Sequence, residues 1–92
     1  MTACPLVSVV IATFNTGRFL PRAVRSALCQ TYPNIEVCVI DDGSTDDTAE
    51  LLQSLARKDS RLTWHSQTNA GQARAKNEGV RRTRGALVAF LD

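Results

Sequence analysis

Short apolar segments alternate along the chain with amphipathic segments of helical period, and this alternation restricts the fold more than any other feature. Two apolar segments, Leu6–Ala12 and Ile35–Ile40, are rich in β-branched residues and almost continuously apolar. That pattern is typical of parallel strands covered on both faces. Ala86–Leu91 has the same character, whereas Leu62–Ser66 is shorter and more polar and is expected at a sheet edge.

Helical periodicity fills each gap between these strands. Apolar residues recur at spacings of three and four from Phe19 to Leu28, with Pro21 in the first turn, where proline is tolerated. On this spacing Cys29 falls on the buried side of the first helix, and Cys38 lies within a strand. We therefore interpret both cysteines as small buried apolar residues, which suits a reducing compartment.

The second and third helices are predicted from their start signals and their apolar faces. Ser44 opens a pattern like a capping box, with Asp47 three residues later, ahead of an apolar stripe from Leu51 to Ala56. The third helix is expected over about Gln72 to Arg82. Its buried face is predicted to carry three residues: Ala73, Asn77 and Val80. Asn77 would then need a buried hydrogen-bond partner.

The order β-α-β-α-β-α-β predicts the α/β class, with a Rossmann-like parallel sheet, right-handed crossovers and helices on both faces. The composition, 43% hydrophobic and 22% charged, argues against disorder. No apolar run approaches the ~18 residues of a membrane span, and the N-terminus lacks the layout of a signal peptide. We expect a cytoplasmic protein, and the cytoplasmic face of the membrane is an alternative for the full-length form.

Charge is distributed unevenly along the chain. Residues 1–34 carry three cations and no anion, residues 35–60 carry seven acids against two cations, and residues 61–92 carry six cations against two acids. Acids at the centre would repel a nucleic-acid backbone, so nucleic-acid binding is disfavoured. A small anionic ligand with a metal ion fits this distribution better.

Polar residues follow the strands where ligands of open parallel sheets bind, beyond the carboxyl ends. Asp41 and Asp42 follow the second strand, and a carboxylate there can accept a ring N–H of uracil or guanine or help to hold a cation. Phe14 follows the first strand and is either a core aromatic or a stacking surface for a base. Asn15 suits a turn that orders the loop. We assign Asp46 and Asp47 to the positive end of the second helix.

The sequence contains neither G-x-G-x-x-G nor G-x-x-x-x-G-K-[ST]. Phosphate groups would therefore be met by a metal ion and side-chain cations rather than by a glycine-rich cradle. The absence of both motifs argues against a dehydrogenase or a P-loop enzyme. His65 stands alone and is interpreted as structural, and three cysteines without a C-x-x-C pair argue against zinc.

Four segments together resemble the N-terminal half of family 2 glycosyltransferases of the GT-A fold. They are, in chain order, SVVIATFN, SALCQTYPNIEVCVIDDGSTDDT, NAGQARAKNEG and GALVAFLD. The resemblance covers Val7 to Asp92 at the family's spacing. It implies a partial nucleotide-sugar-binding domain over residues 1–92, ending just after the first acid of a D-x-D motif. It also implies an inverting transferase that uses a UDP-sugar, an acceptor that the sequence does not specify, and a divalent ion, Mg²⁺ or Mn²⁺.

The resemblance also suggests roles for individual residues. Phe14 matches the aromatic that stacks on the base, beside the backbone of Ala12 and Thr13. Asp42 matches the acid that reads the uracil ring, with Asp41 next to it. Three further residues match the family's motifs: Lys76, which stands where the family usually has Arg; Asn77, the Asn that follows it; and Asp92, the first acid of the D-x-D metal motif. Ala12 departs from the Pro of many members, and the catalytic base is expected beyond residue 92.

A second hypothesis is a non-catalytic module that binds a nucleotide or forms oligomers. The short chain favours it, whereas the motifs favour an enzyme. The strand Ala86–Leu91 has no following helix in the sequence to cover it, so we expect the isolated chain to self-associate through this strand.

Overall fold

The computed structural model describes residues 5–15, 17–29 and 32–91. Within these residues strands and helices alternate strictly. The strands are β1 (Val7–Thr13), β2 (Ile35–Asp41), β3 (Leu62–Ser66) and β4 (Leu87–Leu91). The helices are α1 (Leu20–Leu28), α2 (Thr48–Lys58) and α3 (Gln72–Arg82). The predicted α/β order is confirmed, with strand ends shifted by about one residue.

The four strands form one sheet in the order β3-β2-β1-β4, and all three neighbouring pairs are parallel. The more polar β3 lies at one edge, as its composition predicts. β1 pairs with β2 over its full length, so that Thr13 lies beside Asp41 at the carboxyl ends. The last residues of β1 and β2 therefore bring their following loops to the same place.

Helices cover the two faces of the sheet unequally. One face packs against α1 and α2 around a core that includes Val9, Val37 and Leu52. The other face carries Cys38 and Ile40, which pack against Ala75 of α3. Burial on both faces explains why β1 and β2 read as nearly continuous apolar segments.

The predicted buried face of α3 is wrong. Ala73, Asn77 and Val80 are exposed, whereas Ala75 and Gly79 face the sheet. A Cβ at position 79 would lie 2.3 Å from Val10 Cγ1, so the helix approaches β1 more closely than any side chain would permit. Because the buried face is built from the two smallest residue types, a search for larger apolar residues misses it.

Two expected helix features also differ in the structure. α1 begins at Leu20 and ends at Leu28, which leaves Phe19 and Cys29 exposed beyond its ends rather than buried. Ser44 does not cap α2, which begins four residues later, at Thr48. Instead, the Asp46 carboxylate accepts the N–H of Thr48 at 3.1 Å, so Asp46 does serve the positive end of this helix.

β4 is largely exposed, although its apolar sequence is typical of a strand that is covered on both faces. Four of its five residues are exposed, because it forms an edge of the sheet and α3 packs over β1 and β2 instead. Among the described residues, no helix has the length and apolarity needed to cross a membrane.

Candidate functional site

A cleft of about 540 Å³ opens at the carboxyl end of β1. β1 lies between β2 and β4 in the sheet. Helix α1, which follows β1, and helix α3, which precedes β4, pack on opposite faces of this sheet. Parallel sheets bind ligands at such a reversal of strand order. The cleft is lined by residues from β1, α1 and the loops before α2 and α3: Ile11, Ala12, Thr13, Phe14, Phe19, Leu20, Ala23, Asp42, Asn69, Gly71 and Gln72.

Asp42 forms the polar wall of this cleft, although its residue surface is only 4% exposed. One carboxylate oxygen accepts Gln67 Nε2–H at 2.9 Å and the Ala70 N–H at 2.8 Å. The other oxygen accepts the Gly71 N–H at 2.9 Å. A carboxylate has about four acceptor positions, so these three donors leave one for a ligand.

The same contacts keep Asp42 ionised. Burial raises the pKa of this carboxyl, but the hydrogen bonds from Gln67, Ala70 and Gly71 outweigh burial and hold its pKa below the usual value. The cleft thus presents a fixed negative acceptor, which is suited to a ligand N–H.

The loop after β3 rests directly on the loop after β2. Asn69 Nδ2 donates to the Asp42 carbonyl at 3.1 Å. Gly43 has φ 78°, and a Cβ there would lie 2.8 Å from the Asn69 backbone nitrogen. Glycine at position 43 therefore allows both the left-handed turn and the close approach.

Asp41 has a structural position behind the cleft. Its residue surface is 3% exposed, and its carboxylate accepts the Ser44 N–H at 3.0 Å and the Ser66 hydroxyl at 3.2 Å. These bonds join the end of β3 to the turn before α2. Asp41 does not line the cleft, so of the two adjacent acids only Asp42 faces it.

Asn15 orders the loop after β1, as its tendency to form turns predicts. It adopts φ 51°, and its side-chain oxygen accepts the Thr45 N–H at 2.8 Å. Its own N–H donates to Ser44 Oγ at 2.9 Å. The loops after β1 and β2 are thereby fixed to each other, although Asn15 itself lies outside the cleft lining.

The cleft is lined by three of the predicted site residues from β1 and the loop after it: Ala12, Thr13 and Phe14. Thr13 is buried, and its carbonyl accepts the Asp42 N–H at 2.9 Å. Phe14 is 45% exposed, which excludes the alternative that it is a core aromatic. Its ring is available to a ligand.

The remaining predicted site residues lie elsewhere. Lys76 Nζ lies 5.6 Å from the centroid of the Phe90 ring, on the β4 side of α3. Asn77 is exposed and lines a separate groove with Arg74 and Arg81, so its predicted burial is wrong. Asp92 lies outside the described residues. Among the residues that are described, no three His, Cys, Asp or Glu side chains come together as a metal site.

Sequence analysis missed several residues of this site. Gln67 and the backbone N–H groups of Ala70 and Gly71 hold Asp42, and local sequence patterns do not show this contact. The helical periodicity predicts Phe19 on the buried stripe of α1, yet it lines the cleft. Gly43 is the sequence signal that could have indicated the close approach of these two loops, because glycine allows both the left-handed turn and the short distance to Asn69.

A Rossmann-like parallel sheet with an ionised acid and an exposed aromatic at its ligand-binding edge defines a class of nucleotide-binding domain. Comparison with known proteins identifies the family within this class of nucleotide-binding domains. The family model described as glycosyl transferase family 2 matches residues 8–92. The chain belongs to this family.

Curated relatives are considerably longer than this chain. Chondroitin synthase of Escherichia coli is 44% identical over 88 residues, which cover 96% of this chain and 13% of that protein. Glycosyltransferase GlyG of Streptococcus pneumoniae is 39% identical, over 95% of this chain and 29% of its own length. The chain thus spans less than a third of either relative.

Solved structures agree with the fold. The mannosyltransferase PcManGT from Pyrobaculum calidifontis, in complex with GDP-Man and Mn²⁺, has a TM-score of 0.85 and 30% identity, over 95% of this chain and 27% of that one. Residues 1–349 of Staphylococcus aureus TarS, in complex with UDP-GlcNAc, have a TM-score of 0.84 and 29% identity, over 94% of this chain and 26% of theirs. The predicted GT-A architecture is confirmed.

Proposed function

We propose that this chain forms the donor-nucleotide side of a nucleotide-sugar-dependent glycosyltransferase, and that the donor is a UDP-sugar. The observation that carries the proposal is the fixed, ionised Asp42 carboxylate in the same cleft as the exposed ring of Phe14. Family membership and the complexes of PcManGT with GDP-Man and of TarS with UDP-GlcNAc support a nucleotide-sugar donor, and only the TarS complex supports UDP.

Base recognition follows from the chemistry of these two residues. The free acceptor position of Asp42 suits a ring N–H, which uracil has at N3 and guanine at N1. We choose uracil because Asp42 matches the acid that reads the uracil ring in the family. In cytosine N3 is unprotonated and would face the carboxylate with a lone pair. Phe14 supplies a flat apolar surface for either base, so Asp42 rather than Phe14 determines the choice.

The reaction we propose is inverting transfer. An acceptor hydroxyl forms a new bond to the anomeric carbon of the sugar, its proton passes to a base, and the bond to the diphosphate breaks on the opposite side. We assign that base to none of the described side chains. Lys76 remains our candidate cation for the diphosphate on the family resemblance alone, since its ammonium contacts the Phe90 ring and it does not line the cleft.

A divalent metal ion, Mg²⁺ or Mn²⁺, fits the proposal. A carboxylate is the ligand type that such hard cations prefer, and Asp92 is our candidate ligand. The ion would neutralise charge on the departing diphosphate. PcManGT, which contains Mn²⁺ with GDP-Man, supports this assignment by analogy.

Titration calorimetry with UDP, CDP and ADP, each with and without Mn²⁺, tests the proposal. We expect UDP to bind at least about tenfold more tightly than CDP or ADP, since a hydrogen bond to a charged group is lost with the other bases. Asp42→Asn should remove this preference, whereas Asp47→Asn, at an exposed position outside the cleft lining, should keep it. Equal affinities for the three nucleotides, or no UDP binding at millimolar concentration, would overturn the donor-site assignment.

A further inference from the structure

Phe19 is a second exposed aromatic residue in the cleft. Its residue surface is 64% exposed, and it belongs to neither core cluster. It lines the same cleft as Phe14 and Asp42 but comes from the opposite end of the connection between β1 and α1. Leaving so much apolar ring surface in water contributes nothing to the stability of the fold.

The backbone around Phe19 is held in place although its ring is exposed. The Phe19 carbonyl accepts the Ala23 N–H at 3.2 Å, which ties it to the first turn of α1. Two residues earlier, the Gly17 N–H donates to Asp46 Oδ2 at 3.3 Å, and the Gly17 carbonyl accepts the Leu20 N–H at 3.2 Å. The backbone at Phe19 is therefore set before any ligand binds, which reduces the entropy cost of binding.

Arg18 lies against this ring. Its guanidinium carbon is 5.6 Å from the centroid of the Phe19 ring, within the range of a cation–π contact. Arg18 itself is exposed. The contact occupies one face of the ring and brings a positive charge to the rim of the cleft, where it would favour an anionic ligand.

From this arrangement we infer that Phe19, held by Arg18, is a second aromatic contact for the nucleoside part of the donor, in addition to Phe14. The inference rests on the proposed function, because it assigns a further specificity residue to the same cleft. The ring adds stacking surface, and the guanidinium adds attraction for the diphosphate.

Calorimetry with UDP on four variants tests this inference. Phe19→Ala should weaken UDP binding about tenfold, which is the range for loss of one aromatic stacking contact. Phe19→Tyr, which keeps the ring, should stay within about twofold of the unmodified chain. Arg18→Ala should weaken binding less and should make it less sensitive to salt, because screened attraction for the diphosphate is removed.

Leu87→Ala is the matched control. Leu87 is 63% exposed, as Phe19 is, but it pairs with Val7 at the opposite end of the sheet from the cleft. Its truncation should leave UDP affinity unchanged. Thermal melting of Phe19→Ala should also match that of the unmodified chain, because the ring packs in neither core.

Transferred nuclear Overhauser effects between the Phe19 ring protons and bound UDP give a readout that a purely structural role would not produce. If the unmodified chain binds UDP and Phe19→Ala binds it equally well, the inference alone is overturned. If the unmodified chain does not bind UDP, the proposed function fails and the inference fails with it.

Discussion

Asp42 is the residue on which both the site and the local fold depend. Three donors from the loop after β3 converge on its carboxylate, so the acid fixes that loop while it faces the cleft. Asp42→Asn should therefore lower the free energy of unfolding by about 1–3 kcal/mol at pH 7, because an amide nitrogen would face N–H groups that require an acceptor. Urea denaturation measures this difference.

The stability difference between the unmodified chain and Asp42→Asn should depend on pH in one direction. The pKa of Asp42 is lowered in the folded state, so its stabilising effect is complete above the pKa of an unfolded Asp, ~3.9. The effect is lost as the pH falls through the folded-state pKa. We therefore expect the two unfolding free energies to differ at pH 7 and the difference to shrink as the pH falls below ~3.9.

Asp47→Asn is the control for both measurements. Asp47 is exposed and makes no side-chain capping bond to α2. Its replacement should change the free energy of unfolding by less than about 0.5 kcal/mol, as is usual for surface positions. A difference for Asp42→Asn that stays constant from pH 7 to pH 3 would contradict our account of this carboxylate.

At the scale of elements, the contact between α3 and β1 depends on the absence of a side chain. Gly79→Ala would ordinarily stabilise a helix by up to about 1 kcal/mol. Here the new methyl group would lie 2.3 Å from Val10 Cγ1, and Val10 is fully buried. We expect overpacking to dominate and the variant to lose about 1–3 kcal/mol, as measured by chemical denaturation.

A double-mutant cycle identifies the cause of that loss. Val10→Ala alone should destabilise the chain because it leaves a cavity. In the double variant the two changes compensate, so Gly79→Ala should cost less in the Val10→Ala background than in the unmodified chain. Strict additivity would show that the destabilisation does not arise from the Val10 contact.

At the scale of the whole molecule, β4 presents a free edge. The segment 85–91 carries no charge, and Leu87, Val88 and Phe90 are 63%, 37% and 50% exposed. Natural edge strands are usually protected by charges, proline or bulges, and the residues of β4 itself include no charge, no proline and no bulge. We propose that the isolated chain self-associates with a second copy through β4. This would also serve the alternative hypothesis of an oligomerising module.

Light scattering over a range of protein concentrations tests the self-association. Val88→Lys should shift the chain toward the monomer, because a charge on the edge strand opposes pairing. Val80→Lys is the control, since Val80 has a similar exposure of 41% but lies on α3. A stable monomer at all concentrations would show that the edge is tolerated, and equal effects of the two substitutions would show that association does not depend on β4.

The sequence by itself determined the order of elements, the parallel sheet and the edge position of β3, because these follow from local periodicity and from strand composition. It also placed Phe14 and Asp42 at strand ends, where the ligand edge of such a sheet must lie. The similarity to glycosyl transferase family 2 was readable from four segments for the same reason: motifs are contiguous in sequence.

Only the tertiary structure distinguished the roles of neighbouring residues. Asp41 and Asp42 are equivalent in sequence pattern, yet Asp41 binds Ser44 and Ser66 while Asp42 faces the cleft. The close approach at Gly79, the exposed ring of Phe19 and the contact of Lys76 with Phe90 were likewise decided by packing. These features arise from contacts between segments distant in the chain, which depend on register and on side-chain size at the point of contact, and no local period encodes either.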